Sequence, residues 1–350
     1  MAQTWNRDAV LELGRTYQPA AILGAAADLE IFGALAPKAQ TAGELAKKLQ
    51  TDLRGTTLLL DALVALGLLT KHRGHYAVPA KLAGCLAKDG PQTVLGMAQH
   101  QANCLRRWAQ LARVVKTGQP AERAASVRGE AGDLEAFITA MHNISGPLAP
   151  KIIRAIRPLR FRHLLDLGGG SGTWTLAFLR ACPAATATLF DLPDVIPMAQ
   201  RRLSQAKLLS RVRLVAGDFY VDPLPAGVDL AWVSAIVHQN SRAENRLLFA
   251  KIFAALAPGG RLAIRDLLMG PDRTDPVVGA LFAINMLVST PGGGTFTFEE
   301  LAEDLASAGF ARAKIARREP GMNCVLTAEK GPGVRLKASG SAAKVPGAAA

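Results

Sequence analysis

Three short apolar runs of this chain end in an acid: His163 to Asp166, Thr186 to Asp191, and Val212 to Asp218, the last followed by Phe219. One residue beyond the first acid begins the run of Gly168, Gly170 and Gly172, a G-x-G-x-G spacing. Residues without a Cβ at such a turn let the backbone lie directly against a small molecule. A fourth apolar run leads into His238, and a fifth ends in Asp266, 28 positions later. An imidazole with an ordinary pKa of about 6.5 can take a proton from a hydroxyl. A carboxylate on its other nitrogen fixes the tautomer and stabilises the imidazolium. The chemistry on offer is a small-molecule cradle beside a His–Asp proton acceptor.

Bringing these residues to one edge requires a doubly wound parallel α/β sheet, in which ligands bind outside the carboxyl ends of the strands. The spacing predicts strands at His163 to Leu167, Thr186 to Phe190, Val212 to Ala216, Asp229 to Ala235 and Arg261 to Arg265. A helix between the last two is expected to start at the capping box Ser241 to Glu244 and stop at Pro258-Gly259-Gly260. Thr297 with Glu300 caps another, and Ala311 to Arg318 with Cys324 to Ala328 form a terminal antiparallel pair. Thr173 stands where a dinucleotide fingerprint needs glycine, and no phosphate-loop motif occurs, so a pyrophosphate cradle is disfavoured. Asp191 is placed to accept both hydroxyls of a ribose. Asp218 can take an exocyclic amine and Phe219 can offer a face to a purine, while Asp166 can meet a positive group or a backbone amide. A phosphate-free, positively charged, adenosine-bearing cofactor such as S-adenosylmethionine fits that edge.

The first hundred residues read differently. Thr41 to Glu44 is a capping box, and a second helix starts near Asp52, runs from Arg54 to Leu66 with a wide leucine face, and stops at Gly67. Leu68 to Thr70 and His75 to Val78 can pair around Arg73-Gly74, completing a winged-helix pattern. Its second helix offers Arg54, Thr56 and Thr57 and then leucines, which favours packing against protein over reading DNA. The expected divisions are a mostly helical winged-helix domain over 1–95, a helical connector over 96–158, the sheet domain over 159–330 and a disordered basic tail over 331–350.

The 350 residues carry a formal net charge of +13 with only 5% aromatic residues. Lys330, Arg335, Lys337 and Lys344 supply four of those charges in a stretch, residues 330–350, that holds no Asp or Glu, and base-stacking side chains are few, so no nucleic-acid partner is expected. Cys85, Cys104, Cys182 and Cys324 lack ligand or disulfide spacing. Val277 to Val288 is too short to span a bilayer. The first residues carry charge without an apolar run, so a cytoplasmic location is expected.

The words Leu165-Asp-Leu-Gly-Gly-Gly-Ser-Gly172, Phe190-Asp-Leu-Pro193, Gly217-Asp-Phe219 and Gly67-Leu-Leu69, in this order and spacing, resemble the small-molecule S-adenosylmethionine-dependent O-methyltransferases of plants and bacteria, the caffeate and hydroxyindole type and its secondary-metabolite relatives. The resemblance runs to about Lys330. It implies a Rossmann-like methyltransferase sheet, cofactor contacts from Gly168, Asp191, Asp218, Phe219 and Ser234, a homodimer built by the N-terminal domain, and no metal. It implies His238 as general base with Asp266 as its acid, and Phe137, Met141, Asn285 and Met286 near the substrate wall. Two departures stand out. Gln239-Asn240 replaces the usual Asp-Trp, and Thr295 occupies the place of a second acid. They leave open C-methylation of a carotenoid, quinone or tetrapyrrole precursor, N-methylation, or cofactor binding without catalysis. A ligand-responsive DNA-binding regulator is the alternative outside enzymes.

Overall fold

The computed structural model describes residues 4–88, 90, 92–158 and 160–331. All but Gly331 of the expected basic tail lies outside the described residues. The chain divides into two compact units, Met1–Ala109 with Glu122–Asn143, and Gln110–Ala121 with Ile144–Ala350. The helices of the expected connector are therefore shared between the units. Leu95–Trp108 falls in the first, and Leu111–Thr117 and Ala149–Ala155 fall in the second.

In the first unit both predicted helix starts are present. Thr41 and Glu44 exchange side chain and backbone bonds before helix Ala42–Leu49, and Asp52 accepts the Gly55 amide before helix Leu53–Ala65. Thr70–His72 pairs antiparallel with His75–Ala77, and Gln40–Thr41 adds a third strand. Arg73 and Gly74 have φ of 47° and 79°, the left-handed pair that suits a two-residue hairpin turn. The first hairpin strand begins two residues later than its apolar sequence implied. The Leu68 and Leu69 amides both bond the Leu63 carbonyl, closing the helix around Gly67, so neither is free for the ladder. Tyr76, 1% exposed, and Lys71 both reach Asp61, tying the hairpin to the leucine helix.

The second unit carries a seven-stranded sheet. Its strands are β1 (His163–Leu167), β2 (Thr186–Asp191), β3 (Val212–Ala216), β4 (Val228–Ser234), β5 (Leu256–Asp266), β6 (Phe310–Arg317) and β7 (Cys324–Lys330), in spatial order β3-β2-β1-β4-β5-β7-β6. The first five are parallel, and β7 runs antiparallel between β5 and β6. Strand alternation divides the core in two. Leu165, Leu167, Leu262 and Ile264 face one side, and Leu164 and Ala263 face the other with Trp174, Phe178 and Trp232. Around the sheet lie α1 (Thr173–Ala181), α2 (Ile196–Gln205), α3 (Arg242–Ala255), α4 (Val277–Ser289) and α5 (Phe298–Ser307). The capping boxes at Ser241 and Thr297 both form. Pro258-Gly259-Gly260 does not end α3, which stops at Ala255. These residues belong to the entry of β5, where Gly259 takes φ +74° and the register against β4 shifts.

Candidate active site

The glycine turn follows β1 and leads into α1. Gly168, Gly170 and Gly172 have φ of +62°, +55° and +81°, which side chains resist. A Cβ at Gly168 would stand 2.5 Å from Ile236 Cδ1, whereas one at Gly170 would point into open space. Asp166, 1% exposed, accepts the Thr175 amide at 2.9 Å and its hydroxyl at 2.6 Å, so of the two expected roles it takes the backbone one. Burial, with a smaller push from Asp191, lifts its carboxyl to about 7 against the pull of the Thr175 bonds. Asp191 accepts the Gly170 amide at 2.7 Å on one oxygen and the Leu192 amide at 2.8 Å on the other. Burial raises its pKa as well.

At the end of β3, Asp218 accepts the Tyr220 amide, and the ring of Phe219 lies 4.6 Å from that of Tyr220. Phe219 also lies 3.9 Å from where a Gly168 Cβ would be, so the turn and the aromatic are neighbours. Ser234 ends β4, and its Oγ accepts a bond from Arg265 Nη1.

His238 sits in a single turn, Val237–Gln239, reached through Ala235 in a left-handed conformation. Its Nδ1–H donates to Asp266 at 2.8 Å and 3.0 Å, and the Leu267 amide donates to the same carboxylate. That bond sets the tautomer, leaving the Nε2 lone pair to accept a proton. Asp266 is 1% exposed and His238 7%, with the ring of Phe282 from α4 perpendicular to the imidazole at 4.8 Å between ring centres.

Sequence reasoning missed what supports this turn. Asn240, noted only as a departure, is buried. It accepts from the Tyr220 hydroxyl and donates to Asn245, which in turn donates to the Val237 carbonyl. Burial pushes the Tyr220 hydroxyl up to about 12, so it remains a donor. The Gly294 amide donates to the His238 carbonyl, and Gly293 packs so closely that a Cβ would lie 2.6 Å from that oxygen. Thr295 is buried, and its carbonyl accepts from Arg273. Asn285 and Met286 lie on α4, with Met286 buried. Phe137 and Met141 lie on the part of helix Gly129–Ser145 that belongs to the first unit, where the Phe137 ring lies 5.1 Å from that of His100, tilted by 53°. Among the described residues no helix is long and apolar enough to cross a membrane, and no cluster of three or more His, Cys, Asp or Glu is placed to hold a metal ion.

Five parallel strands closed by an antiparallel pair, with a glycine turn after the first and acids after the next two, define a Rossmann-like methyltransferase domain. Residues 110–311 match the model of the O-methyltransferase domain and residues 12–89 that of the O-methyltransferase dimerisation domain, and the chain belongs to this family. It is 32% identical to 3-hydroxy-5-methyl-1-naphthoate 3-O-methyltransferase of Streptomyces sahachiroi, over 88% of this chain and 91% of the relative. The tetracenomycin polyketide synthesis 8-O-methyl transferase TcmO of Streptomyces glaucescens is 31% identical, with 86% and 90% covered. Among solved structures, human N-acetylserotonin methyltransferase in complex with SAM superimposes with a TM-score of 0.76 at 26% identity, over 95% of this chain and all of that one.

Proposed function

We propose that this chain methylates a hydroxyl of a small aromatic, quinoid or polyketide-like metabolite, using S-adenosylmethionine, as a cytoplasmic homodimer with His238 as general base. The observation that carries the reading is the His238–Asp266 pair, set at the carboxyl edge of the sheet that also holds the glycine turn. The residues fit the cofactor. Gly170 leaves space where any side chain would intrude, and the neighbouring strand ends present carboxylates and an aromatic ring. When bound, the cofactor supplies an electrophilic methyl on a sulfonium.

In this reading Gly168 and Gly170 lie against the ligand and Asp166 holds their turn from beneath. Asp191 takes the ribose hydroxyls on lone pairs left by Gly170 and Leu192, Asp218 takes the exocyclic amine, Phe219 packs on the purine and Ser234 offers a hydroxyl. His238 Nε2 removes the acceptor's proton as its oxygen attacks, a contribution of about 10² to 10⁴-fold, and Asp266 stabilises the imidazolium. Asn285 and Met286 of α4 are assigned to the acceptor wall. The hydroxynaphthoate and polyketide named for two relatives support a fused-ring acceptor.

The test is calorimetric titration with S-adenosylmethionine and S-adenosylhomocysteine, followed by a screen of hydroxylated fused-ring aromatics for methyl transfer. Micromolar binding and product carrying an O-methyl group are expected. A folded protein that binds neither compound, or methyl found only on carbon or nitrogen, overturns the reading.

A further inference from the structure

The second unit contains a buried cation that the proton-transfer machinery does not use. Arg265 is 2% exposed, at the penultimate position of β5. Its Nη1 donates to Ser234 Oγ at 3.1 Å, its Nε and Nη2 donate to Asn323 Oδ1 at 3.2 Å and 2.8 Å, and its guanidinium lies 4.9 Å from the Trp174 ring. Among the described residues no carboxylate stands within ion-pair distance of it. Asp266 and Glu319 act on it only through space, and burial lowers its pKa to about 10. A cation desolvated to this degree and held by neutral partners is costly unless an anion completes it.

The direction of the Ser234 bond says where that anion belongs. Because the Ser234 oxygen accepts from Arg265, its own hydroxyl hydrogen is free to donate elsewhere, and the adjacent cation strengthens that donor towards negative acceptors. Ser234 is opposite Arg265 in the β4–β5 register, and the preceding residue, Val233, is opposite Leu167, the last residue before the glycine turn. The free hydroxyl therefore lies at the strand edge beside the turn.

We propose that Arg265 is a positioning residue that works through Ser234 to hold the carboxylate of the cofactor's amino-acid end. This rests on the S-adenosylmethionine reading above. It adds polarity to the site: acids serve the ribose and amine, and one buried cation serves the carboxylate, so the amino-acid end has a single favourable orientation.

The experiment compares, by calorimetry, S-adenosylhomocysteine with its decarboxylated analogue, which keeps the adenosine, thioether and ammonium. Wild type is expected to prefer the intact compound by about tenfold or more, the worth of a charge-assisted hydrogen bond. R265Q and S234A should each lose that preference, with the analogue bound within about threefold of wild type. Equal weakening of both ligands, or an unchanged preference, overturns the proposal. S234A, a small change at a half-buried position, decides the matter if R265Q does not fold. Wild type that binds neither ligand overturns the cofactor reading itself, whereas wild type that binds both equally overturns only this one.

Discussion

The Asp191 carboxylate reaches back to the glycine turn and takes the Gly170 amide at 2.7 Å. One acid thereby shapes the cradle and, in the proposed reading, also grips the ribose. Asp191→Ala should weaken S-adenosylhomocysteine by about 100-fold or more, the loss of two hydroxyl contacts to an ionised acceptor. Asp191→Asn keeps an oxygen for one backbone amide and should fall between. Parallel titrations decide it, and an alanine variant that binds as wild type does would remove Asp191 from the site.

Gly170 offers a cleaner separation of stability from binding. Alanine there meets no neighbour but must hold φ near +55°, a strain of about 1 kcal/mol. Gly170→Ala should unfold slightly earlier in urea yet lose at least tenfold in cofactor affinity, because its methyl enters the ligand's space. A variant that loses only stability argues that nothing binds against this turn.

For the His238–Asp266 pair, His238→Ala should lower kcat by about 10² to 10⁴-fold with S-adenosylhomocysteine affinity unchanged. Asp266→Asn keeps the ring in place while letting the wrong nitrogen carry the proton, so it should also lower kcat sharply. Acceptors of lower hydroxyl pKa should suffer least from either change. Turnover within threefold of wild type for His238→Ala rules out base catalysis by this residue.

Asp166 makes a prediction in pH. Its folded pKa, about 7, exceeds the ordinary unfolded value of about 3.9. Between those values the native chain keeps a proton that the unfolded chain has released, so this group's contribution is full at low pH and fades as pH rises through about 7. Urea unfolding of wild type and Asp166→Asn from pH 4.5 to 7.5 should show the difference moving in favour of the variant as pH increases. A difference that does not change with pH means that Asp166 is already ionised in the fold.

Tyr220→Phe removes the hydroxyl that satisfies Asn240 and leaves a buried amide oxygen without its donor, a cost of about 1 to 3 kcal/mol. The midpoint of chemical unfolding should drop accordingly. Since Asn240 and Asn245 support the His238 turn, kcat should fall too, while cofactor affinity changes little.

Much of this was legible because its signals are local. The capping boxes at Thr41, Ser241 and Thr297 each lie within four residues, and the acids fall where apolar runs stop. The His238–Asp266 pair was legible for a different reason: parallel neighbours align their ends. What escaped depends on partners remote in sequence. Asn240 reads as a lost family residue until Tyr220, 20 positions earlier, is brought to it. Arg265 reads as one basic residue among many. The available signal was its place in a strand that both sheet faces bury, where a charge requires a reason. The late hairpin start escaped because Leu68 is apolar enough for a strand, and its competing use as a helix stop leaves no mark in composition.

Arg265 and Asp266 are consecutive in β5, and successive residues of a strand point to opposite faces. The cation goes to the Trp174 side and the anion to His238. Pairing of Asp266 with Cys324 and of Arg265 with Val325 on β7 locks that assignment. A slip of one residue would exchange the two charges, leaving an imidazole facing a guanidinium. Length is thus more tightly constrained here than side-chain identity: this strand end can tolerate many apolar substitutions, but no single-residue insertion or deletion between Arg261 and Asp266.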